Sequence, residues 1–349
     1  MNGLRFRSVA AAAALTLFLG VASTHGQTAG YQVIDLGTLG GSRSSAVGIN
    51  GRGDVIGNSE TADGDTHAFH VVNGTMNDLG TLGGKNSHAA AISNTGLIVG
   101  RSQAADGSYR SFVSLSDGQL WDLSSLDNRL KHAGFATSVA VNSLGHVVGY
   151  IQTHTDHKAA RSRVFIYKDL KITDLGTFGG EDGVVAGIND VGQIVGYFGR
   201  EPHADYADHR GVLMTGNVVT PLGSLGGRMT TPTDINNAGQ AVGFAQVQGG
   251  EDHAFLYANG KIADLGTLSG GTQSFAYGIN VSGQAVGSSD STQGQRAVLF
   301  EGGKVIDLNT LIPSGSGWVL TEAKDINDAG LITGTGIVNG QQRAFLLKP

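Results

Sequence analysis

The stretch Asp35-Leu-Gly-Thr-Leu-Gly-Gly41, followed by Gly48-Ile-Asn-Gly-Arg-Gly53 and by His67-Ala-Phe69, is one unit of a pattern that recurs along the chain. Tripeptides of the Asp-Leu-Gly type occur seven times, at intervals of roughly 43 to 52 residues. They begin at Asp35, Asp78, Asp122, Asp174, Pro221, Asp264 and Asp307. This period is typical of the four-stranded blade of a β-propeller.

Each unit also carries an Ile-Asn-x-x-Gly signature or a close variant, and a second glycine follows four residues after the first. Asparagine opens and glycine closes such hairpin turns, because asparagine bonds its own backbone and glycine accepts positive φ. Apolar pairs such as Val55-Ile56 lie between the glycines and indicate short buried strands. The third signature starts with His or Arg and leads into a two-residue turn such as Asn73-Gly74. We therefore predict an all-β, seven-bladed propeller of four-stranded antiparallel blades.

The two ends of the repeat region predict how the ring closes. Residues 31–36 supply only the last strand of a unit, and residues 343–349 supply only the third. We expect residues 31–36 to complete blade 7, with the N-terminal strand pairing with the C-terminal blade, because closure removes an open sheet edge. Residues 27–349 are then a single propeller domain.

The residue before each Ile-Asn turn is small or acidic. These residues are Gly48, Ala91, Ala140, Gly187, Asp234, Gly278 and Asp325. Small residues are expected on an innermost strand, where the blades converge and bulk is excluded. The basic residue that opens the third signature occurs in every unit, which favours a structural hydrogen bond over catalysis. Trp318 and Phe135 are expected to fill gaps between blades rather than to contact a ligand.

The chain has 349 residues, 56 glycines, no cysteine and a formal net charge of -6. The glycines are periodic, so they do not indicate disorder, and the charge gives no sign of nucleic-acid binding. Residues 1–26 resemble a secretory signal peptide, with Arg5 and Arg7 ahead of an apolar stretch. We predict cleavage between about Ala22 and Gly26, and a secreted or periplasmic, monomeric product with no transmembrane segment.

The motifs resemble those of the HAF repeat family of probable extracellular bacterial proteins. The resemblance rests on Asp-Leu-Gly-Thr-Leu-Gly-Gly, Gly-Ile-Asn and His-Ala-Phe, and it covers about residues 31–349. It implies export and a propeller-like repeat, and it implies no reaction. The pattern is broken where Asp122-Leu-Ser-Ser lacks the glycines, where Pro221 replaces Asp, and where Arg210-Gly-Val212 replaces His-Ala-Phe.

Two polar loops between second and third strands differ from the short loops of the other units. They belong to consecutive units, blades 3 and 4, and contain four of the 11 histidines. Their candidate ligand-binding residues are His154, Asp156, His157, Arg161, Arg200, His203, Asp205, Tyr206, Asp208 and His209. Solvated loops are the simplest interpretation. A ligand-contact patch is the second, and a metal or acid–base site is the third, because His and carboxylate groups serve both.

No catalytic motif stands out in this chain. It has no Gly-x-Ser-x-Gly elbow, no thiol, no HExxH and no phosphate loop. We therefore name no catalytic residue and predict no cofactor, with a divalent metal left open. The favoured function is an exported binding or scaffold module that engages a glycan, peptide or protein through the loop face and the central channel. The alternative is a secreted, metal-assisted hydrolase or lyase with its site on the loops of blades 3 and 4.

Overall fold

The computed structural model describes residues 30–115, 118–126, 135–155, 158–199 and 208–349. In these residues the chain forms seven four-stranded sheets in which all neighbouring strands are antiparallel. The protein is a seven-bladed β-propeller, as the repeat predicts. Two short 3-10 helices, Leu123–Leu126 and Leu308–Thr310, are the helices that the described residues contain. Neither has the length or the apolar character needed to cross a membrane.

The blades follow one another in chain order, and the first strand of each lies innermost. Blade 1 contains β2 (Gly40–Ile49), β3 (Val55–Thr61), β4 (Thr66–Val72) and β5 (Thr75–Asp78). Blade 2 contains β6 (Gly83–Ile92), β7 (Ile98–Ala104), β8 (Tyr109–Ser114) and β9 (Leu120–Asp122). Blade 3 contains β10 (Phe135–Val141), β11 (Val147–Thr155), β12 (Lys158–Lys168) and β13 (Lys171–Gly176). Blade 4 contains β14 (Asp182–Ile188), β15 (Gln193–Gly199), β16 (Arg210–Thr215) and β17 (Val218–Pro221).

The last three blades repeat this arrangement. Blade 5 contains β18 (Gly226–Ile235), β19 (Ala241–Val247), β20 (Asp252–Ala258) and β21 (Lys261–Asp264). Blade 6 contains β22 (Ser274–Ile279), β23 (Ala285–Ser289), β24 (Arg296–Glu301) and β25 (Lys304–Asp307). Blade 7 contains β26 (Trp318–Ile326), β27 (Ile332–Val338), β28 (Gln341–Lys348) and β1 (Gln32–Asp35).

Blade 7 is made from both ends of the repeat region. β1 pairs antiparallel with β28, in a register that sets Gln32 opposite Lys348. The seam between blades 7 and 1 is bonded as well, because the Ala344 N–H donates to Ser44 Oγ at 3.0 Å. The pairing of β1 with β28 covers the edge of β28, in accord with the general benefit of closing a sheet on itself.

The hydrophobic core lies between successive blades rather than in one central layer. Phe69 and Val55 of blade 1 pack in one cluster with Ala344 of blade 7, and the clusters between the other blades are built in the same way. Trp318 packs edge-on against Phe345 of its own blade, with ring centroids 6.1 Å apart, and it borders the apolar cluster that blades 6 and 7 share. The side chain of Phe135 lies outside the described residues.

A β-bulge interrupts every innermost strand at the same point. In blade 1 the register shifts between Ala46 and Gly48, and the other six blades shift at the equivalent residues. The bulge brings the inner strand close to the second strand, so that a Cβ on Gly57 would collide with the Ser45 carbonyl and the Phe69 ring. This close approach explains the second repeat glycine, and the bulge decides which residues face the central channel.

Candidate functional site in the central channel

Most of the loop residues proposed from the sequence lie outside the described residues. This is so for Asp156, His157, Arg200, His203, Asp205 and Tyr206. The backbone of His154 ends β11, and its side chain is not among those described. The predicted site on the loops of blades 3 and 4 therefore stays a prediction.

Three of the predicted loop residues are described, and each has a partner of its own. Arg161 Nη2 lies 2.5 Å from Glu181 Oε2, and Arg210 Nη2 lies 2.9 Å from Asp208 Oδ1. His209 stacks on Tyr197 with centroids 4.2 Å apart, and its Nδ1 lies 3.3 Å from Thr231 Oγ1. Burial lowers the pKa of His209 below its usual range. The described part of the loops thus contains ion pairs and ring packing, which are stabilising contacts.

The repeated basic residues serve the blades, as predicted. His67 Nδ1 lies 2.9 Å from Asp78, and His253 Nδ1 lies 2.8 Å from Asp264. Arg110, Arg163 and Arg296 approach the equivalent Asp residues in the same way. In blade 4, Pro221 replaces the Asp, and Arg210 turns to Asp208 instead. These pairs hold the third and fourth strands of a blade together, and in blade 7 Arg343 bonds instead to the Ser42 carbonyl and to Gln341.

The turns after the inner strands bond to one another around the ring, with one exception in the described residues. We call Asn50, Ser93, Asn142, Asn189, Asn236, Asn280 and Asn327 the asparagine ring. The Asn189 amide donates to the Asn236 carbonyl at 3.0 Å, and Asn327 donates across the seam to Asn50 at 3.0 Å. Such bonds cross six of the seven blade boundaries in the described residues. The exception is Ser93, whose hydroxyl bonds within its own turn. The ring is buried and structural.

The channel above this ring does not keep the sevenfold equivalence. The first residue of each bulge is half-buried and lines the channel. We call these residues the bulge ring: Val47, Ala90, Val139, Ala186, Thr233, Tyr277 and Lys324. Blades 1 to 4 therefore contribute a small apolar wall, and blades 5 to 7 contribute a hydroxyl, a phenol and an ammonium group.

The next residue of each bulge forms a second ring, which we call the waist ring: Gly48, Ala91, Ala140, Gly187, Asp234, Gly278 and Asp325. Two cavities of about 180 and 190 Å³ lie along the axis, each lined by residues from all seven blades. Asp234 and Asp325 line both cavities, so the two carboxylates lie where the cavities meet.

Backbone amides hold both waist carboxylates in place. Asp325 Oδ1 accepts from the Ile326 N–H at 2.8 Å, and its Oδ2 accepts from the Ile49 N–H of blade 1 at 2.9 Å. Asp234 bonds equivalently to Ile235 in its own blade and to Ile279 in blade 6. Each carboxylate thus joins its blade to the following one while it faces the channel.

Burial raises the pKa of Asp325 above its usual range, and the nearby charge of Asp234 raises it further. Burial also raises the pKa of Asp234, although its two N–H donors oppose the effect. Lys324 does not neutralise them, because its ammonium lies 2.7 Å from Glu322 Oε2 and 4.0 Å from the centre of the Tyr277 ring. The polar side of the channel therefore contains two mutually repelling carboxyl groups.

The sequence shows the two carboxylates of this site but does not show that they lie together. Asp234 and Asp325 are the two residues that break the small-residue pattern before Ile-Asn. Only the bulge, which turns two consecutive residues towards the axis, shows that they share one space with Tyr277 and Lys324. A metal ion would need more ligands than this, and the described residues contain no group of three or more His, Cys, Asp or Glu suited to holding one.

Comparisons with known proteins show the fold alone. No family model matches the chain, and no curated protein matches it. Among solved structures, the β-propeller domain of the Trilobed protease from Pyrococcus furiosus superposes with a TM-score of 0.54 at 11% identity, covering 75% of this chain and 80% of that domain. That domain is described as having an open velcro topology.

Two longer enzymes contain a similar propeller. A puromycin-hydrolyzing peptidase of Mycobacterium tuberculosis matches with a TM-score of 0.56 at 13% identity, covering 85% of this chain and 49% of that one. An acylaminoacyl peptidase of Pyrococcus horikoshii matches with a TM-score of 0.52 at 12% identity, covering 85% and 51%. The chain spans about half the length of these two peptidases, and identities this low establish architecture rather than activity.

Proposed function

We propose that this chain is an exported binding module that holds one partner molecule in the central channel, against the polar side formed by blades 5 to 7. One observation carries the proposal: sevenfold equivalence is nearly complete in the asparagine ring and is lost among the residues that face the channel. The asparagine ring is nearly uniform, whereas the bulge ring changes from apolar residues to Thr233, Tyr277 and Lys324.

The cost of the waist carboxylates supports the same interpretation. A purely structural channel could carry glycine or alanine at every waist position, as five blades do. Two carboxyl groups in a confined space repel each other and lose hydration, and the backbone N–H bonds that each accepts do not remove the repulsion between the two. A concave space with a few convergent polar groups on an apolar wall is the usual form of a ligand site.

Export remains part of the proposal and is supported by the basic and apolar pattern of residues 1–26 and by the resemblance to the HAF repeat family. The ligand classes that the sequence favours are a glycan, a peptide or a segment of a protein. The loops of blades 3 and 4 would extend the contact on the same face, because second-to-third-strand loops and inter-blade connections share that face.

The experiment fills the channel without touching the outer surface. Ala186→Phe places a ring into the cavity from the apolar wall, and Val191→Phe places the same ring on an exposed turn of the same blade. The mature protein is screened by thermal shift against defined oligosaccharides, short peptides and amines, and each compound that binds is then titrated into both variants. We expect Ala186→Phe to abolish binding and Val191→Phe to leave it unchanged. Compounds that bind both variants equally would place the site elsewhere and refute the proposal.

A further inference from the structure

Resting on this proposed function, we infer that the ligand presents a primary alkylammonium group to Asp234 and Asp325 at the channel waist, with its alkyl part against the apolar wall of blades 1 to 4. The inference comes from how the two sides of one cavity are built. The carboxylates lie on one side, and Val47, Ala90, Val139 and Ala186 lie around the rest.

The hydrogen-bond capacity of the waist matches an ammonium group. A carboxylate has about four acceptor positions, and backbone N–H groups occupy two of them on each aspartate. The two aspartates together therefore keep about four unoccupied acceptor positions. An ammonium group donates three hydrogen bonds and can be satisfied by that number. Calcium requires about six to eight oxygen ligands, which two carboxylates already bonded to amides do not supply.

The side chains of the bulge ring next to the waist also favour a cationic ligand. The Tyr277 ring already accepts one ammonium, that of Lys324, at 4.0 Å from its centre, and Glu322 completes the pairing of that group. The protein thus builds one ammonium contact beside the waist, and within the part of the chain that the structure describes no ion pair joins a cation to Asp234 or Asp325. A bound alkylammonium would relieve the repulsion between them.

The binding should be linked to proton release. Asp234 and Asp325 both hold their protons more tightly than an ordinary aspartic acid, so a cation must compete with a proton at low pH. The other titratable or charged groups on the inner strands are Arg43 on β2, Lys85 and His88 on β6, Asp182 on β14, Arg228 on β18, Tyr277 on β22, and Glu322 and Lys324 on β26. Asp190 and Asp328 lie in the turns below. Glu322 and Lys324 are paired with each other, and burial lowers the pKa of His88, which favours its neutral form.

The test uses n-butylamine as the probe, titrated calorimetrically into the mature protein at pH 8 and at pH 5. n-Butanol and calcium chloride are the comparison solutes. We expect n-butylamine to bind at pH 8, to bind at least about tenfold more weakly at pH 5, and to release protons, measured as a dependence of the heat on the buffer's ionisation enthalpy. n-Butanol and calcium should give no saturable signal.

Variants place the probe within the channel. Asp325→Asn should abolish binding, and Asp264→Asn, which removes an outer repeat carboxylate, should leave it intact. Since Asp325→Asn also loses an inter-blade bond, a second variant is needed. Ala140→Lys brings a tethered ammonium to the waist from the opposite wall, and it should block n-butylamine while preserving the carboxylates.

A second amine separates two sources of the ligand. Nα-Acetyl-lysine methylamide carries the same alkylammonium within a peptide-like group, so its binding would indicate a lysine side chain of a partner protein. Binding of n-butylamine alone would indicate a free amine. The inference is overturned if n-butanol binds as well as n-butylamine, if affinity does not change with pH, or if calcium binds and the amines do not. A different result would separate this inference from the proposed function. If neither amine binds, but Ala186→Phe abolishes the binding of some other compound, then the channel is the binding site and only the ligand class inferred here is wrong.

Discussion

The asparagine ring and the waist ring are two residues apart in each repeat, yet they obey different rules. At the asparagine ring, six of seven positions are the same residue, and each amide bonds to the next blade. At the waist ring, glycine, alanine and aspartate all occur. The asparagine amide is occupied by its bond to the next blade, whereas the two waist carboxylates keep acceptor positions towards the channel besides the backbone bonds that they accept. The difference separates the part of the repeat that builds the ring from the part that can recognise something.

The largest expected effect is at the asparagine ring. Asn327→Ala removes the bond to Asn50 across the seam and the two N–H bonds that Asn327 Oδ1 accepts from Ala329 and Leu331. We expect the free energy of unfolding to fall by about 2–4 kcal/mol, because the partners are left buried and unpaired. Urea unfolding measures the loss. Ser93→Ala is the matched control, with a smaller loss because the bonds of Ser93 among the described residues stay within its own turn. Equal losses would show that the inter-blade bonds contribute nothing.

The waist ring should give a pH effect of the opposite sign to that of ordinary carboxylates. Because the folded pKa values of Asp234 and Asp325 lie above the ordinary value of 3.8, their contribution is fully present below that value and is lost as pH rises through the raised pKa values. The double variant Asp234→Asn, Asp325→Asn loses inter-blade bonds, which lowers its stability by an amount that does not depend on pH. We therefore expect its stability relative to that of the native protein to rise by about 1–3 kcal/mol from pH 5 to pH 8.

Chemical unfolding at several pH values in that range measures this difference. Comparing the two proteins at each pH cancels the titration of other groups, such as His209 and His70, whose folded pKa values burial lowers. A difference that stays constant with pH would mean that the waist carboxyl groups do not change ionisation on folding.

A third prediction concerns an exposed turn that breaks the repeat. Leu170 has a φ of 58° and is 89% exposed, whereas Gly74, Gly260 and Gly340 occupy the equivalent position. A leucine in the left-handed region costs roughly 1–2 kcal/mol, part of which glycine's greater freedom in the unfolded chain offsets. Leu170→Gly should therefore raise the free energy of unfolding by about 0.5–1 kcal/mol in thermal and urea unfolding. Leu144→Gly, in another exposed turn of the same blade and without a positive φ, should not stabilise the protein.

The smallest effect is expected at the outer ion pairs. His253→Ala removes the contact with Asp264, and exposed pairs of this kind contribute about 0.2–1 kcal/mol. We expect a loss below about 1 kcal/mol that shrinks further in high salt. Unfolding at two salt concentrations checks this. A loss as large as that of Asn327→Ala would place the repeat's rigidity in its outer strands and reverse the comparison between the two regions.

Much of the fold followed from the sequence because the repeat states each strand and turn seven times over. The Asn73-Gly74 turn and the Gly57 close approach are local requirements, and local chemistry predicts them. The loop site could not be settled in the same way, since a cluster of His and Asp in sequence does not fix where side chains point. Arg161, for example, pairs with Glu181 of the next blade, which no spacing indicates.

The sequence by itself determined the number of blades, the four strands of each and the turns that join them, because these depend on short-range periodicity and on backbone conformations that only certain residues accept. The tertiary structure decided which residues meet in the channel. A bulge in each inner strand turns two successive side chains towards the axis, and ring geometry brings residues 91 positions apart, Asp234 and Asp325, to one waist. No local pattern encodes that meeting, because it depends on how seven blades pack around a common centre.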